Sequence, residues 1–130
     1  MNEIIGMDEI LRKLKKLPEK IQQRVVVGAV RASAKPIIKE ARALVPKKTG
    51  TLKKSIGVVK RRSKDKNIVH FSIAPLRKKG GWYGGFIEFG TKKMSPKPFI
   101  RPAFEKKGLE TIDYAREYMK KRIDKELAKL

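Results

Sequence analysis

The chain has no cysteine and a single histidine, His70. The first absence excludes a disulfide framework, a thiolate nucleophile and any cysteine-ligated zinc or iron centre. The second leaves too few imidazoles for a histidine metal cage or a charge-relay site. No stretch approaches the roughly 20 consecutive apolar residues of a membrane-spanning helix, so no membrane partner is expected. The first 20 residues mix acids and bases too early for a signal peptide. Acids are the scarcest charged class: 13 Asp and Glu stand against 34 Lys and Arg, a formal net charge of +21. With so few carboxylates, no catalytic, cofactor-binding or metal-binding set emerges, and the chain reads as a non-enzyme. What is present suffices to fold. Forty per cent of 130 residues are hydrophobic, which fits one domain spanning 1–130.

The charge is uneven. Residues 46–100 hold fifteen Lys and Arg against two acids, Asp65 and Glu88. Residues 1–45 and 101–130 carry the mixed charge of solvated helix faces. Two readings of the basic middle stand side by side: a surface for a polyanionic or acidic partner, or a lysine-rich solubilising surface.

Periodicity places helices at about 7–45, strands within about 52–90, and a C-terminal helix at about 100–128. Met7, Ile10, Leu11, Leu14 and Leu17 recur at three and four residues. Beyond Pro18, Ile21, Val25, Ala29, Ala32, Ile37, Ala41 and Leu44 continue one stripe, with a kink expected at Pro36 and a stop at Pro46. Three alternating sets then read as strands: Leu52, Ile56 and Val58; Val69, Phe71 and Ile73; Tyr83, Ile87 and Phe89. Phe104, Ile112, Ala115, Met119, Ile123, Leu127 and Leu130 trace the last apolar face. The expected fold is α+β: a small antiparallel sheet of three or four strands packed against a long kinked N-terminal helix and a C-terminal helix.

Two segments stand out. Pro46-Lys47-Lys48-Thr49-Gly50-Thr51-Leu52-Lys53-Lys54-Ser55-Ile56 reads as a helix stop, a turn and a strand start. It is not a phosphate-binding loop, because the G-x-x-x-x-G-K-[ST] spacing is absent and no strand precedes it. Tyr83-Gly84-Gly85-Phe86-Ile87-Glu88-Phe89-Gly90-Thr91, followed by Pro98-Phe99-Ile100-Arg101-Pro102-Ala103, reads as a strand, a proline-stiffened crossing and a helix start.

In order and spacing, these segments resemble the minor tail-component, or tail-completion, family of long-tailed bacteriophages, the gene-product-ten-like neck proteins of lambdoid phages. The shared pattern is P-x-x-T-G-x-L-x-x-S-I at Pro46, Thr49, Gly50, Leu52, Ser55 and Ile56. It continues as Y-x-x-F-x-E-F-G-T at Tyr83, Phe86, Glu88, Phe89, Gly90 and Thr91, and as P-F-I-R-P-A at Pro98, Phe99, Ile100, Arg101, Pro102 and Ala103. The resemblance runs from the first helix to the last; Lys47 and Lys48 depart from the acid-containing pair often found there. It implies a structural protein of the virion neck, made in the host cytoplasm, without catalytic residues. It also implies a ring of copies that helps join tail to head, with tail-terminator, tail-tube or connector proteins as partners.

Four smaller expectations remain. Glu88, nearly alone among bases, is expected to pair with Arg101 or with an arginine of a neighbouring subunit. His70 alternates with Val69 and Phe71 and is expected to be solvated. Phe86, on the strand face opposite Ile87 and Phe89, and Trp82 are candidate subunit or partner contacts. The basic linkers 60–66 and 75–81 supply candidate DNA-proximal residues, Arg61, Arg62 and Lys64 in one, Arg77, Lys78 and Lys79 in the other, for non-specific contact. The runner-up reading is a small basic nucleic-acid-binding protein, although no helix-turn-helix, zinc-finger or RNA-recognition signature is present.

Overall fold

A computed structural model of the chain describes residues 6–46, 50–65 and 68–130. Helix α1, Met7–Leu14, has Asp8 and Glu9 in its first turn and Arg12 and Lys13 in its last, the polarity that a helix dipole favours. Pro18 opens α2, Glu19–Ser33, its carbonyl accepting from the Ile21 and Gln22 amides. Helix α3, Lys35–Leu44, follows almost without a gap and carries Pro36 in its first turn. Pro36 has no N–H to give the Ala32 carbonyl, so the ladder is broken where the sequence places the kink. Val45 is extended, as a residue before proline must be, and α3 ends.

Helix α4, Gly50–Ser55, leads straight into β1, Ile56–Arg61, which pairs antiparallel with β2, His70–Pro75. The register runs from Ile56 opposite Pro75 to Arg61 opposite His70. A 3₁₀ turn at Arg77–Lys79 precedes α5, Gly84–Phe89. The chain ends in α6, Ile100–Lys107, and α7, Glu110–Leu127.

The α+β class stands, but the sheet has two strands among the described residues, not three or four. The expected third strand is α5: the Phe86 amide donates to Tyr83 O at 3.1 Å and the Gly90 amide to Phe86 O at 2.8 Å. Tyr83 and Ile87 lie four apart, a spacing that suits one face of a strand and one face of a helix equally. Leu52 belongs to α4 for the same reason, four residues before Ile56. The C-terminal helix is likewise divided, at Gly108 and Leu109, between α6 and α7.

Pro36 also divides the interior. Before it, α2 packs with α1 and α7 around Leu14, Val25, Ala29, Met119 and Ile123. After it, α3 packs with α4, β1 and α6 around Ile37, Ala41, Leu52, Ile56, Phe99 and Ala103. Phe99 is fully buried at the centre of this second core, where such a ring contributes roughly 1.5–3 kcal/mol by transfer alone. The α2–α7 contact is close at Gly28: a β-carbon there would overlap the Tyr118 hydroxyl, so the tyrosine ring would have to move aside.

Candidate interaction surface

The second core supports a rigid corner between α5 and α6. Helix α4 anchors one side. The buried Ser55 hydroxyl donates to Leu52 O at 2.6 Å, and Ser55 O accepts from the Leu76 amide at 2.8 Å, tying α4 to the turn after β2. Tyr83 and Ile87 then pack on the second core, which orients α5.

Glu88 joins the two helices. Its Oε1 accepts from the backbone amides of Phe99 at 3.0 Å and Ile100 at 2.8 Å, and Oε2 from that of Arg101 at 3.3 Å. The start of a helix leaves such donors without intrahelical acceptors, and a carboxylate there also meets the positive end of the dipole. Glu88 therefore serves as a cap delivered from another helix. The expected side-chain pairing with Arg101 does not form; the Arg101 guanidinium lies 4.0 Å from Glu105 instead. Pro102 lies within the first turn of α6, where a missing N–H costs nothing.

The crossing from α5 to α6 is equally determined. Gly90 has φ 76°, and a β-carbon would press on Pro96 N and Met94 O, both backbone atoms. Thr91 and Met94 close a tight turn by two mutual backbone hydrogen bonds, and Lys97 N donates to Ile87 O at 2.8 Å. Pro98 then delivers Phe99 into the core.

On the outside of this corner lies an apolar groove of about 640 Å³, lined by Ile73, Pro75, Gly85, Phe89, Pro98 and Phe104 among others. Phe89, in its wall, is 82% exposed, and two further rings on or just before α5 are open to solvent, Trp82 at 66% and Phe86 at 54%. Trp82 meets Tyr83 edge to face at 5.5 Å between ring centres. Phe86 and Trp82 are thus surface residues. Phe89 and Phe104 lie outside the core that the alternating and helical patterns assigned them to, because α5 and α6 are short helices touching the interior along one narrow stripe.

The motif residues Gly50, Leu52 and Ser55 lie in α4 and Pro46 just beyond α3; Thr49, with Lys47 and Lys48, falls outside the described residues. Glu88, Phe89, Gly90, Thr91, Pro98, Phe99, Arg101 and Pro102 form the corner itself. The two basic segments do not come together. Arg61 is in β1, its Nε donating to Ser72 Oγ at 3.1 Å, with exposed Arg62 and Lys64 just beyond. Arg77, Lys78 and Lys79 lie at the opposite end of the hairpin. His70 is exposed at the start of β2. Sequence reading missed a basic face on α2 and α3; its signal was the spacing of Lys20, Arg24, Arg31 and Lys35, hidden under the mixed charge of residues 1–45.

Away from the corner, Arg122 Nε donates to Glu126 at 3.0 Å, with Lys129 at 3.6 Å from the same carboxylate. Hydrogen bonding to Glu126 raises the Arg122 pKa against the opposing effect of burial. Burial works against ionisation of Glu126, but Arg122 and Lys129 together outweigh it and hold its carboxyl below the usual range. Among the described residues, no group of three or more His, Asp or Glu is placed to hold a metal ion, and no helix is long and apolar enough to cross a membrane.

Residues 8–90, from α1 to the end of α5, match the family described as "Bacteriophage HK97-gp10, putative tail-component". The protein is a structural component of a bacteriophage particle. It belongs to the HK97-gp10-like tail-component family, whose members work in contact with other phage structural proteins. The matched stretch ends at Gly90, so α6 and α7 lie outside it. No curated protein and no solved structure matches the chain.

Proposed function

We propose that the protein acts at the head–tail junction, completing the tail and joining it to the head as a non-enzymatic ring of identical subunits. The exposed aromatics and the groove at the α5–α6 corner form its subunit contact, and tail-terminator, tail-tube or connector proteins dock on the assembled ring. One observation carries this reading. The family's own Y-x-x-F-x-E-F-G-T segment folds into a helix locked by Glu88 and Gly90 that holds Phe86 and Phe89 in solvent. Large exposed aromatics beside a recess mark association surfaces. A protrusion next to a groove, and not a self-complementary patch, suits the head-to-tail contact from which rings close.

Native mass spectrometry and size-exclusion chromatography with light scattering test the proposal. The wild-type chain forms oligomers whose population grows with concentration. The double variant Phe86→Ser, Phe89→Ser stays monomeric with its melting temperature kept within a few degrees. Oligomers of the same size and strength in that variant would remove the corner as the contact.

A further inference from the structure

We propose that α2, α3 and β1 form a second site: a linear basic track that binds the phosphate backbone of duplex DNA without reading sequence. It does not rest on ring assembly, because every residue it uses lies on one subunit.

Lys20, Arg24, Arg31, Lys35, Lys39 and Arg42 follow one another at intervals of four, seven, four, four and three residues. Those steps are whole turns of an α-helix to within a fraction of a residue, so the six share one face. All six are exposed. The acids of this helical pair, Glu19 and Glu40, fall off that face, and Glu40 is taken up by Lys106 at 3.0 Å. Among the described residues, none of the six takes part in an ion pair.

The track is concave where β1 and α7 approach it. Lys20, Arg24, Arg31 and Lys35 line a depression of about 680 Å³ together with Lys60 and Arg122, and no acid contributes to its wall. Lys60 also lines a neighbouring depression of about 490 Å³ with Arg61, Arg62 and one acid, Asp65, so the surface continuing along the hairpin stays net positive. On the far side of Pro36, Lys35, Lys39, Arg42 and Lys53 surround another acid-free concavity. Low-dielectric walls lined by one sign of charge concentrate their field on a counterion of opposite sign.

The shape selects the ligand. At about 1.5 Å per residue, the path along α2 and α3 from Lys20 to Arg42 is about 33 Å long, on the scale of the roughly 34 Å of one duplex turn. Two rings border the track: Phe71 is covered by the Arg31 guanidinium at 5.4 Å, and half-buried Tyr118 has its hydroxyl against Gly28 and 3.4 Å from Arg122, so no row of open rings offers successive bases a stack. Single-strand binding relies on such stacking; duplex backbone binding needs only placed cations.

The test is fluorescence anisotropy of the full chain with a labelled random-sequence duplex of about 30 base pairs, across a salt series. Lys20→Gln, Arg24→Gln, Lys35→Gln is compared with Lys92→Gln, Lys93→Gln, Lys97→Gln, which removes the same charge from exposed positions beside the α5–α6 corner. The track variant loses at least about tenfold in affinity, and its logarithmic salt slope falls by about three, one for each phosphate contact removed. The matched variant stays within about twofold of wild type. Equal losses in both variants, or an unchanged slope in the track variant, would overturn the proposal. So would competition by polyglutamate as effective per charge as unlabelled DNA, which would assign the track to an acidic protein.

Discussion

The Glu88 carboxylate accepts the Ile100 backbone N–H at 2.8 Å, so a residue at the end of one helix caps the start of the next. The contact spans twelve residues and fixes the angle between α5 and α6 without using a side chain of α6. Glu88→Ala leaves up to three amides without their acceptor and lowers stability by about 1–3 kcal/mol in urea unfolding. Glu88→Gln keeps an acceptor but no charge and falls between the two. Arg101→Ala stays within about 0.5 kcal/mol of wild type, since its side chain is solvated. An Arg101→Ala loss equal to that of Glu88→Ala would restore the side-chain pairing in place of the cap.

Two phenylalanines on either side of the α5–α6 crossing separate core from surface. Phe99 is fully buried and Phe89 largely exposed. Phe99→Ala costs about 3–5 kcal/mol by lost transfer energy and cavity formation. Phe89→Ala changes the stability of the monomer by about 0.5 kcal/mol or less. Denaturant midpoints measured at low protein concentration give both values; a large Phe89→Ala loss in the monomer would place that ring inside.

Gly28 and Tyr118 are coupled through space. In the native background, Gly28→Ala drives its methyl into the Tyr118 ring and destabilises the α2–α7 contact. With Tyr118→Ala the space is empty, and the same Gly28→Ala change stabilises by up to about 1 kcal/mol through helix propensity. A double-mutant cycle shows this as a change of sign.

Glu126 makes part of the stability depend on acid. Its carboxyl is held below the ordinary range, so the folded state takes up a proton less readily than the unfolded chain. Its contribution is complete above the unfolded carboxylate pKa and disappears as pH falls through the lowered folded value. Glu126→Gln therefore melts below wild type at neutral pH, and the gap closes as pH falls through the lowered folded value. Calorimetry at several pH values measures it; a gap that persists in acid would mean packing, not charge, is responsible.

The long elements were legible in the sequence because they repeat their pattern many times. Ile10 and Leu14, then Val25 and Ala29, then Met119 and Ile123, all recur at helical intervals and all are buried. The break at Pro36 was legible because proline removes a specific hydrogen bond. The short elements were not. Over six residues, α5 offers one four-residue interval, from Tyr83 to Ile87, and its aromatic-rich composition tips the reading toward strand. What decides the matter is tertiary: the packing of Tyr83 and Ile87 on the second core and the bonding of Glu88 to α6. The corner's residues thus stood out in the sequence while its geometry stayed hidden. The basic track was hidden for a different reason, since the net charge of a segment says nothing about which side of a helix carries it.

The absent hydrogen bond at Pro36 has a mechanical consequence. The basic track crosses it, while the aromatic corner packs on the core beyond it. A pull on α2 can reach the corner along two routes: the backbone from Ser33 to Lys35, where the ladder is interrupted, and α7, which packs on α2 and runs back into α6. Where the first route lacks its hydrogen bond, load passes to the second, so the α2–α7 packing is the mechanical link between the two halves.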